Sequence, residues 1–454
     1  MKKFLNAIIV LIAFHSNSLI SQEVEETVVV TSALVDTSEI TNPLYVIDGE
    51  DVTDDATTSL GDAIDSYLGV SIADYGAAVG QPIIRGMSGP RVKVLKNGMV
   101  NRDVSGLGVD HLNDVDLNDI DQIEIVKGPS SLLYANGTIG GIINVVDDVI
   151  SPVDFDAREI KVGYEDQSVN DGDSKTINYR NNIGGFNFNF GYKDTDFENY
   201  DIPNGAIEEE HDEDEEEEEH HEECHGCIAN SDFAVEATKF GISKAGDWGY
   251  LGFSLDNLES VYGIPFHGEG HEGHGDEHGD EHGDEHGDEE EGHDEHEGER
   301  IFTNTDSDKF DIKGSYDLDG FNFANSVDFF YRDSDYSFTE QHAEEEHEEE
   351  DHHDEEDHHD EEEHHDEHEG HSEGPTTFTN DSAEAGFIFD LSNDLYSQKV
   401  SFNLVNEDTA IFGAEAFMNP ASREEFTIGY YLSRSFDGFD IDLGVRYDLS
   451  LIHI

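Results

Sequence analysis

Basic residues are scarce in this chain. It carries 23 Lys and Arg against 108 Asp and Glu, a formal charge of −85 over 454 residues. Phosphate binding needs clustered cations, so nucleic acid is excluded as a partner and cations are favoured. Methionine is rare, at four residues, which argues against a Met-lined copper(I) path. Cysteine occurs twice, in Cys224-His225-Gly226-Cys227. No second Cys-x-x-Cys accompanies it, so a small local disulfide in an oxidising exterior is favoured; a tighter metal site with His220, His221 and His225 is the alternative. No segment is long and apolar enough to cross a membrane as a helix. The mature chain is then either soluble or a β-barrel.

The N-terminus has the form of an export signal. Lys2 and Lys3 precede an apolar run from Phe4 to Phe14, and a polar stretch with small residues ends near Ser21. Residues 1–21 are expected to be a secretory signal peptide. Directly after it, Glu26-Thr27-Val28-Val29-Val30-Thr31 is a short extended apolar segment, suited to adding as a strand to a partner's sheet edge or to serving as an ordinary first strand.

What the chain has in excess is histidine beside acid. Three tracts, at 208–227, 267–299 and 342–373, hold 22 of the 25 histidines. In the middle tract His274, His278, His282 and His286 are each separated by Gly-Asp-Glu, and His267 and His271 precede them. Imidazole and carboxylate together are ligands for borderline divalent metals, zinc first, then nickel and copper. A spacing of four suits a helix, but a glycine follows each of these four histidines, costing about 1 kcal/mol relative to alanine, and the like charges repel. The tracts are expected to be disordered without metal, binding it through exchanging imidazoles and losing it below about pH 6 as histidine protonates.

The first third reads as a compact mixed domain, expected over 35–152. Thr58–Ile64 places a capping residue ahead of a short amphipathic helix. Val92–Leu95 alternates and closes on Asn97-Gly98, a hairpin turn. Residues 120–146 read as strand, Gly-Pro turn, short helix, Gly-Gly, strand. The run Ile123-Glu124-Ile125-Val126-Lys127-Gly128-Pro129-Ser130-Ser131-Leu132-Leu133-Tyr134, followed by Gly140-Gly141-Ile142-Ile143-Asn144-Val145, resembles the plug signature of TonB-dependent outer-membrane receptors. Arg85-Gly86 falls where that family places its own arginine-glycine element, alongside Gly128 and Pro129. The resemblance implies that Glu26, Thr27, Val28, Val29 and Val30, within 22–34, form the strand grasped by TonB of the TonB-ExbB-ExbD complex. A finer resemblance is to the zinc-uptake branch, where an Asp-His pair in the plug faces the vestibule. Asp110 and His111 match that pair, and Tyr262-Gly263-Ile264-Pro265 leading to His267 matches the segment that enters a His-rich loop.

After residue 152 the pattern becomes period two. Phe186, Phe188, Phe190 and Tyr192 alternate with polar residues, as do Phe310, Ile312 and Tyr316, and Phe439 through Tyr447. Apolar on one face and polar on the other fits strands between lipid and lumen, and runs near ten residues fit a tilted membrane strand. Short connections at 184–185, 245–247, 317–320 and 392–394 alternate with the three tracts, so all three tracts should leave one mouth of an up-and-down barrel. Ten to twelve strands are countable in 153–454. The family resemblance implies about 22, and Ile454 follows directly on a strand, so the chain is expected to be a fragment.

The fold expected is an α+β plug followed by part of an antiparallel transmembrane β-barrel. The function expected is non-enzymatic: TonB-dependent uptake of a divalent metal, Zn²⁺ before Ni²⁺ or Cu²⁺, across the outer membrane of a Gram-negative bacterium. The candidate ligands are Asp110, His111, His220, His221, Cys224, His225, Cys227, His267, His271, His274, His278, His282 and His286. Haem or a ferric siderophore is the alternative cargo. A surface metal buffer or adhesin is the alternative of another class.

Overall fold

The computed structural model describes residues 45–54, 59–74, 79–108, 111–203, 206, 226–265, 301–318, 323–342, 374–413 and 416–454. The expected signal segment 1–21, Glu26–Val30, Asp110 and nearly all of the three tracts lie outside the described residues.

The plug is built on a five-stranded sheet of order β1-β6-β7-β4-β5, from β1 (Tyr45–Asp48), β4 (Val92–Lys96), β5 (Met99–Val100), β6 (Gln122–Val126) and β7 (Gly141–Val146). The β4–β7 pair is parallel and the others are antiparallel. A separate hairpin joins β2 (Val70–Asp74) to β3 (Gly80–Ile84), and one short helix, α1, spans Gly49–Asp54. The Asn-Gly turn between β4 and β5 forms as the sequence predicts: Asn97 and Gly98 have φ of 55° and 84°, the left-handed pair a tight hairpin requires. Ser59 Oγ accepts from Asp62 N at 3.1 Å just ahead of the short 3₁₀ turn at Asp62–Ile64, whose N-cap is Gly61. Ile64, Ile84, Ile123, Ile125, Ile143 and Val145 are its fully buried core.

The rest is an eleven-stranded antiparallel sheet in sequential order: β8 (Glu159–Gln167), β9 (Gly172–Asn182), β10 (Asn187–Phe197), β13 (Phe233–Gly246), β14 (Gly249–Gly263), β15 (Ile301–Asp317), β16 (Ser326–His342), β17 (Thr376–Asp390), β18 (Ser397–Phe412), β19 (Ala421–Phe436) and β20 (Phe439–His453). The minor pair β11 (Tyr200–Asp201) and β12 (Cys227–Ile228) lies in the β10–β13 connection. The sheet is not closed: β8 and β20 are its edges.

Its burial is inverted relative to a water-soluble sandwich. Toward the plug, β15 buries Ser307, Lys309 and Asp311, while β16 buries Arg332 and Ser334. On the other face Phe253, Leu255, Phe402, Leu404, Phe426, Ile428, Leu443 and Val445 are exposed. A polar interior under an apolar exterior is the pattern of a barrel in lipid.

The later strands are longer than the ten residues the sequence suggests: β13 through β20 run 14 to 17 residues. The surplus is polar on its outer face. Asp308, Asp335, Asp381 and Asp408 are directly paired across four strands and exposed. Carboxylates do not enter hydrocarbon, so the alternation of apolar side chains stops short of the strand.

Strand direction puts the tract-flanking ends together. Phe197 pairs with Phe233, Phe233 with Tyr262, Gly263 with Phe302, and Ile301 with His342. At the opposite end the turns are tight, as at Gly184-Gly185 and at Asp247-Trp248, where Gly246 pairs with Gly249.

Candidate functional site

The plug loop that follows Asp110 sits at the tract end of the sheet, against aromatic wall residues. His111 is half-buried, its ring edge-on to Phe338 with centroids 5.1 Å apart. Gln81 Nε2, from β3, donates to the His111 carbonyl. The next residue, Leu112, donates its backbone N–H to Tyr262 Oη at 3.1 Å. Tyr262 belongs to the Tyr-Gly-Ile-Pro segment at the entrance to the middle tract, so two segments singled out in the sequence 150 residues apart are in contact. Tyr262, Ile264, Ile301, Tyr336 and Phe338 form a buried cluster here with Val79 and Val104 of the plug.

Of the predicted metal ligands, only His111 and Cys227 are within the described residues; Asp110, His220, His221, Cys224, His225, His267, His271, His274, His278, His282 and His286 lie outside them. Among the described residues no three His, Cys, Asp or Glu side chains form a metal-sized cluster. Cys227 is disulfide-bonded, and Cys224 is the chain's one other cysteine. A disulfide sulfur is not the thiolate a soft metal requires.

The plug motif residues have structural work. Arg85 and Gly86 turn the chain after β3 with φ of 54° and 74°, and Arg85 N donates to Gly69 O at 2.9 Å. Gly128 has φ 117°, and Pro129 opens the 3₁₀ turn Pro129–Leu133. That turn lies against β18–β20: Arg446 Nη1 donates to Leu132 O at 3.0 Å, and a Cβ on Gly444 would lie 2.5 Å from Pro129 O.

Sequence reasoning missed the charged lattice that seats the plug. Lys96 Nζ lies 2.6 Å from Asp256 on β14 and 3.5 Å from Asp147. Burial works against its charge, but the two carboxylates outweigh it and hold its pKa above the ordinary value. Asp147 feels the converse: burial is overcome by Lys96 and Lys239, and its pKa falls to about 2. Asp114 accepts from Ser307 Oγ at 2.7 Å and from Lys309 on β15. Asp116 faces Lys239 of β13 at 3.4 Å, and burial of its carboxylate is offset by Lys239 and Lys193, which lower its pKa. Arg102 reaches Glu384 and Glu407 on β17 and β18. At the opposite end of the plug Asp121 and Asp148 share a hydrogen bond; burial first, then the Asp148 charge, pushes Asp121 up to about 8. In the pairs Lys96–Asp256, Asp114–Lys309, Asp116–Lys239 and Arg102–Glu384 one partner comes from the plug and the other from a strand more than a hundred residues away. No local period signals such pairs.

A plug filling the concave face of an antiparallel sheet, with charged seam and apolar exterior, is the architecture of a TonB-dependent receptor. The comparisons agree. Residues 36–142 match the family model described as TonB-dependent Receptor Plug Domain. A hemin receptor of Yersinia enterocolitica is 30% identical over 128 residues, 27% of this chain and 18% of that receptor. The FrpB iron transporter of Neisseria meningitidis superposes with a TM-score of 0.60 at 12% identity, over 90% of this chain and 58% of that one. The copper transporter OprC does so with a TM-score of 0.59 at 11% identity, over 90% of this chain and 55% of that one. The chain thus spans little more than half the length of these transporters. Its first third carries the plug domain of that family, whose members are receptors and transporters rather than enzymes, and the eleven strands resemble part of their barrel.

Proposed function

We propose that the protein is a TonB-dependent outer-membrane receptor for active uptake of a divalent metal, Zn²⁺ in first place. The observation that carries the reading is the contact between the His111 loop and Tyr262. It joins the plug loop bearing the Asp-His pair to the strand that leads into the His-Gly-Asp-Glu repeats. The three tracts, leaving strand ends on one side, would concentrate Zn²⁺ at the mouth by exchange between imidazoles and carboxylates. Asp110 and His111 would hold the ion on the plug, with any further ligands coming from the tracts. TonB, pulling on Glu26–Val30, would shift the plug and release the ion inward. Uptake should require the TonB-ExbB-ExbD complex, and the lipid of the outer membrane would face the apolar side of the sheet.

Haem is the second reading, favoured by the likeness to the hemin receptor. Copper is the cargo in the name of OprC, which resembles this chain in fold only. The test is uptake of labelled zinc by zinc-limited cells expressing the full receptor, with and without functional TonB, against excess nickel, copper or haem. Energy-dependent uptake blocked by zinc alone supports the proposal. Uptake of haem with none of zinc overturns it.

A further inference from the structure

One plug guanidinium meets the inner wall formed by β17 and β18. Arg102 Nη1 lies 2.5 Å from Glu384 Oε2, and its Nε lies 3.7 Å from Glu407 Oε1. Wall amides hold both glutamates: Asn403 Nδ2 donates to Glu384 Oε1 at 2.6 Å, and Asn380 Nδ2 donates to Glu407 Oε1 at 2.9 Å. The other end of each amide is unsatisfied. Asn380 Oδ1, Asn403 Oδ1 and the neighbouring Ser382 Oγ are buried and have no hydrogen-bond partner among the described residues. These three side chains belong to residues only 5%, 7% and 7% exposed. Ser382 is opposite Glu407 in register, so the oxygens and carboxylates share one patch.

Buried oxygens without donors are costly. Two carboxylates, two amide carbonyls and a hydroxyl make an all-oxygen set of the kind that suits a divalent cation. In the seated plug the positive charge there comes from Arg102, 2.5 Å from Glu384, and from the wall's own Arg423, 2.5 Å from Glu407. Arg332, opposite Glu384, is bound by Asp311 through both carboxylate oxygens, at 2.7 and 2.6 Å. Departure of Arg102 would therefore leave the Glu384 carboxylate without its cation, while Arg423 stays on Glu407.

We propose that Arg102 holds the place of a divalent metal ion. When the plug moves and carries Arg102 away, Glu384, Glu407, Asn380 and Asn403 form a transit site for the ion on the barrel wall. This rests on the reading of the protein as a metal-cation receptor whose plug is displaced during uptake. Oxygen ligands make the site weaker for zinc than imidazole would be, which suits passage.

Arg102→Gln mimics departure of the charge while keeping a side chain that can hydrogen-bond. Mn²⁺, an oxygen-preferring probe, is titrated into the purified full receptor and followed by loss of its free-ion EPR signal. Relative to wild type, Arg102→Gln should gain one bound Mn²⁺ per chain, and adding Glu384→Gln and Glu407→Gln should abolish the gain. No gain in a folded Arg102→Gln protein, or a gain that survives both Gln substitutions, overturns the proposal. Should Arg102→Gln fail to fold, Glu407→Gln decides. It keeps Arg102 seated through Glu384, and should lower the maximal rate of zinc uptake at least threefold while leaving cell-surface zinc binding in de-energised cells unchanged. An unchanged uptake rate overturns the proposal. A wild type that carries no zinc overturns the uptake reading alone, because the Mn²⁺ titration needs no transport.

Discussion

The backbone N–H of Leu112 donates to the hydroxyl of Tyr262 at 3.1 Å, tying the plug loop after His111 to the strand that leads into the middle histidine tract. A ligand held by that tract and by the plug loop would engage both sides of this bond.

Tyr262→Phe keeps the buried ring and removes the acceptor. Leaving the Leu112 N–H without it costs about 1–3 kcal/mol. The expected result is faster proteolysis within 107–113 and weaker zinc binding, with the barrel intact. Limited digestion followed by mass spectrometry checks it.

Lys96→Met leaves Asp147 and Asp256 facing each other in the seam. Removing one partner of a buried ion pair costs about 3–5 kcal/mol. The plug should unfold at lower urea while the barrel retains its heat-modifiable mobility. Asp256→Asn with Lys96→Met should recover part of that loss, because no unpaired carboxylate remains on the wall.

Close approach of plug and wall depends on glycine. A Cβ on Gly241 of β13 would lie 1.9 Å from the Val149 carbonyl oxygen. The expectation for Gly241→Ala is displacement of residues 147–151 at a cost of about 1–3 kcal/mol, read as increased hydrogen exchange there. Gly184, whose added Cβ meets nothing within 4 Å, serves as control for packing, though its φ of 65° carries a separate backbone strain.

Two acids in the plug respond to pH in opposite directions. Asp121 is raised to about 8 from an ordinary 3.8, so the folded protein holds that proton more tightly than the unfolded chain. Its stabilisation is complete below about pH 4 and is lost as pH rises through 8. Asp147 is lowered to about 2. Its contribution is present above 3.8 and is lost as pH falls through 2. Asp121→Asn should flatten the decline of plug stability between pH 4 and 8 in urea titrations, and Asp147→Asn should remove part of the acid limb.

Short-range patterns were legible in the sequence. The Asn97-Gly98 hairpin, the Gly128-Pro129 turn and the alternating strands each follow from neighbours a few residues apart, where turn geometry and period-two sterics act. The strand count was readable for the same reason. The strand lengths were not, because Asp306, Asp308, Asp333 and Asp335 break the apolar alternation while the hydrogen-bonded ladder continues. The seam was invisible: Arg102 and Glu384 are 282 residues apart, and only the folded barrel brings them together. At the candidate site the sequence pointed to His111 and to Tyr262 separately, with no signal that the plug loop and the wall strand bearing them meet.

The most direct test of the account is labelled-zinc uptake by zinc-limited cells expressing the full receptor, comparing wild type with Asp110→Ala/His111→Ala at matched surface expression. The account predicts that uptake collapses in the double variant while zinc still binds at the cell surface through the tracts. Unchanged uptake in the double variant would contradict it, and would leave His111 as a packing residue against Phe338.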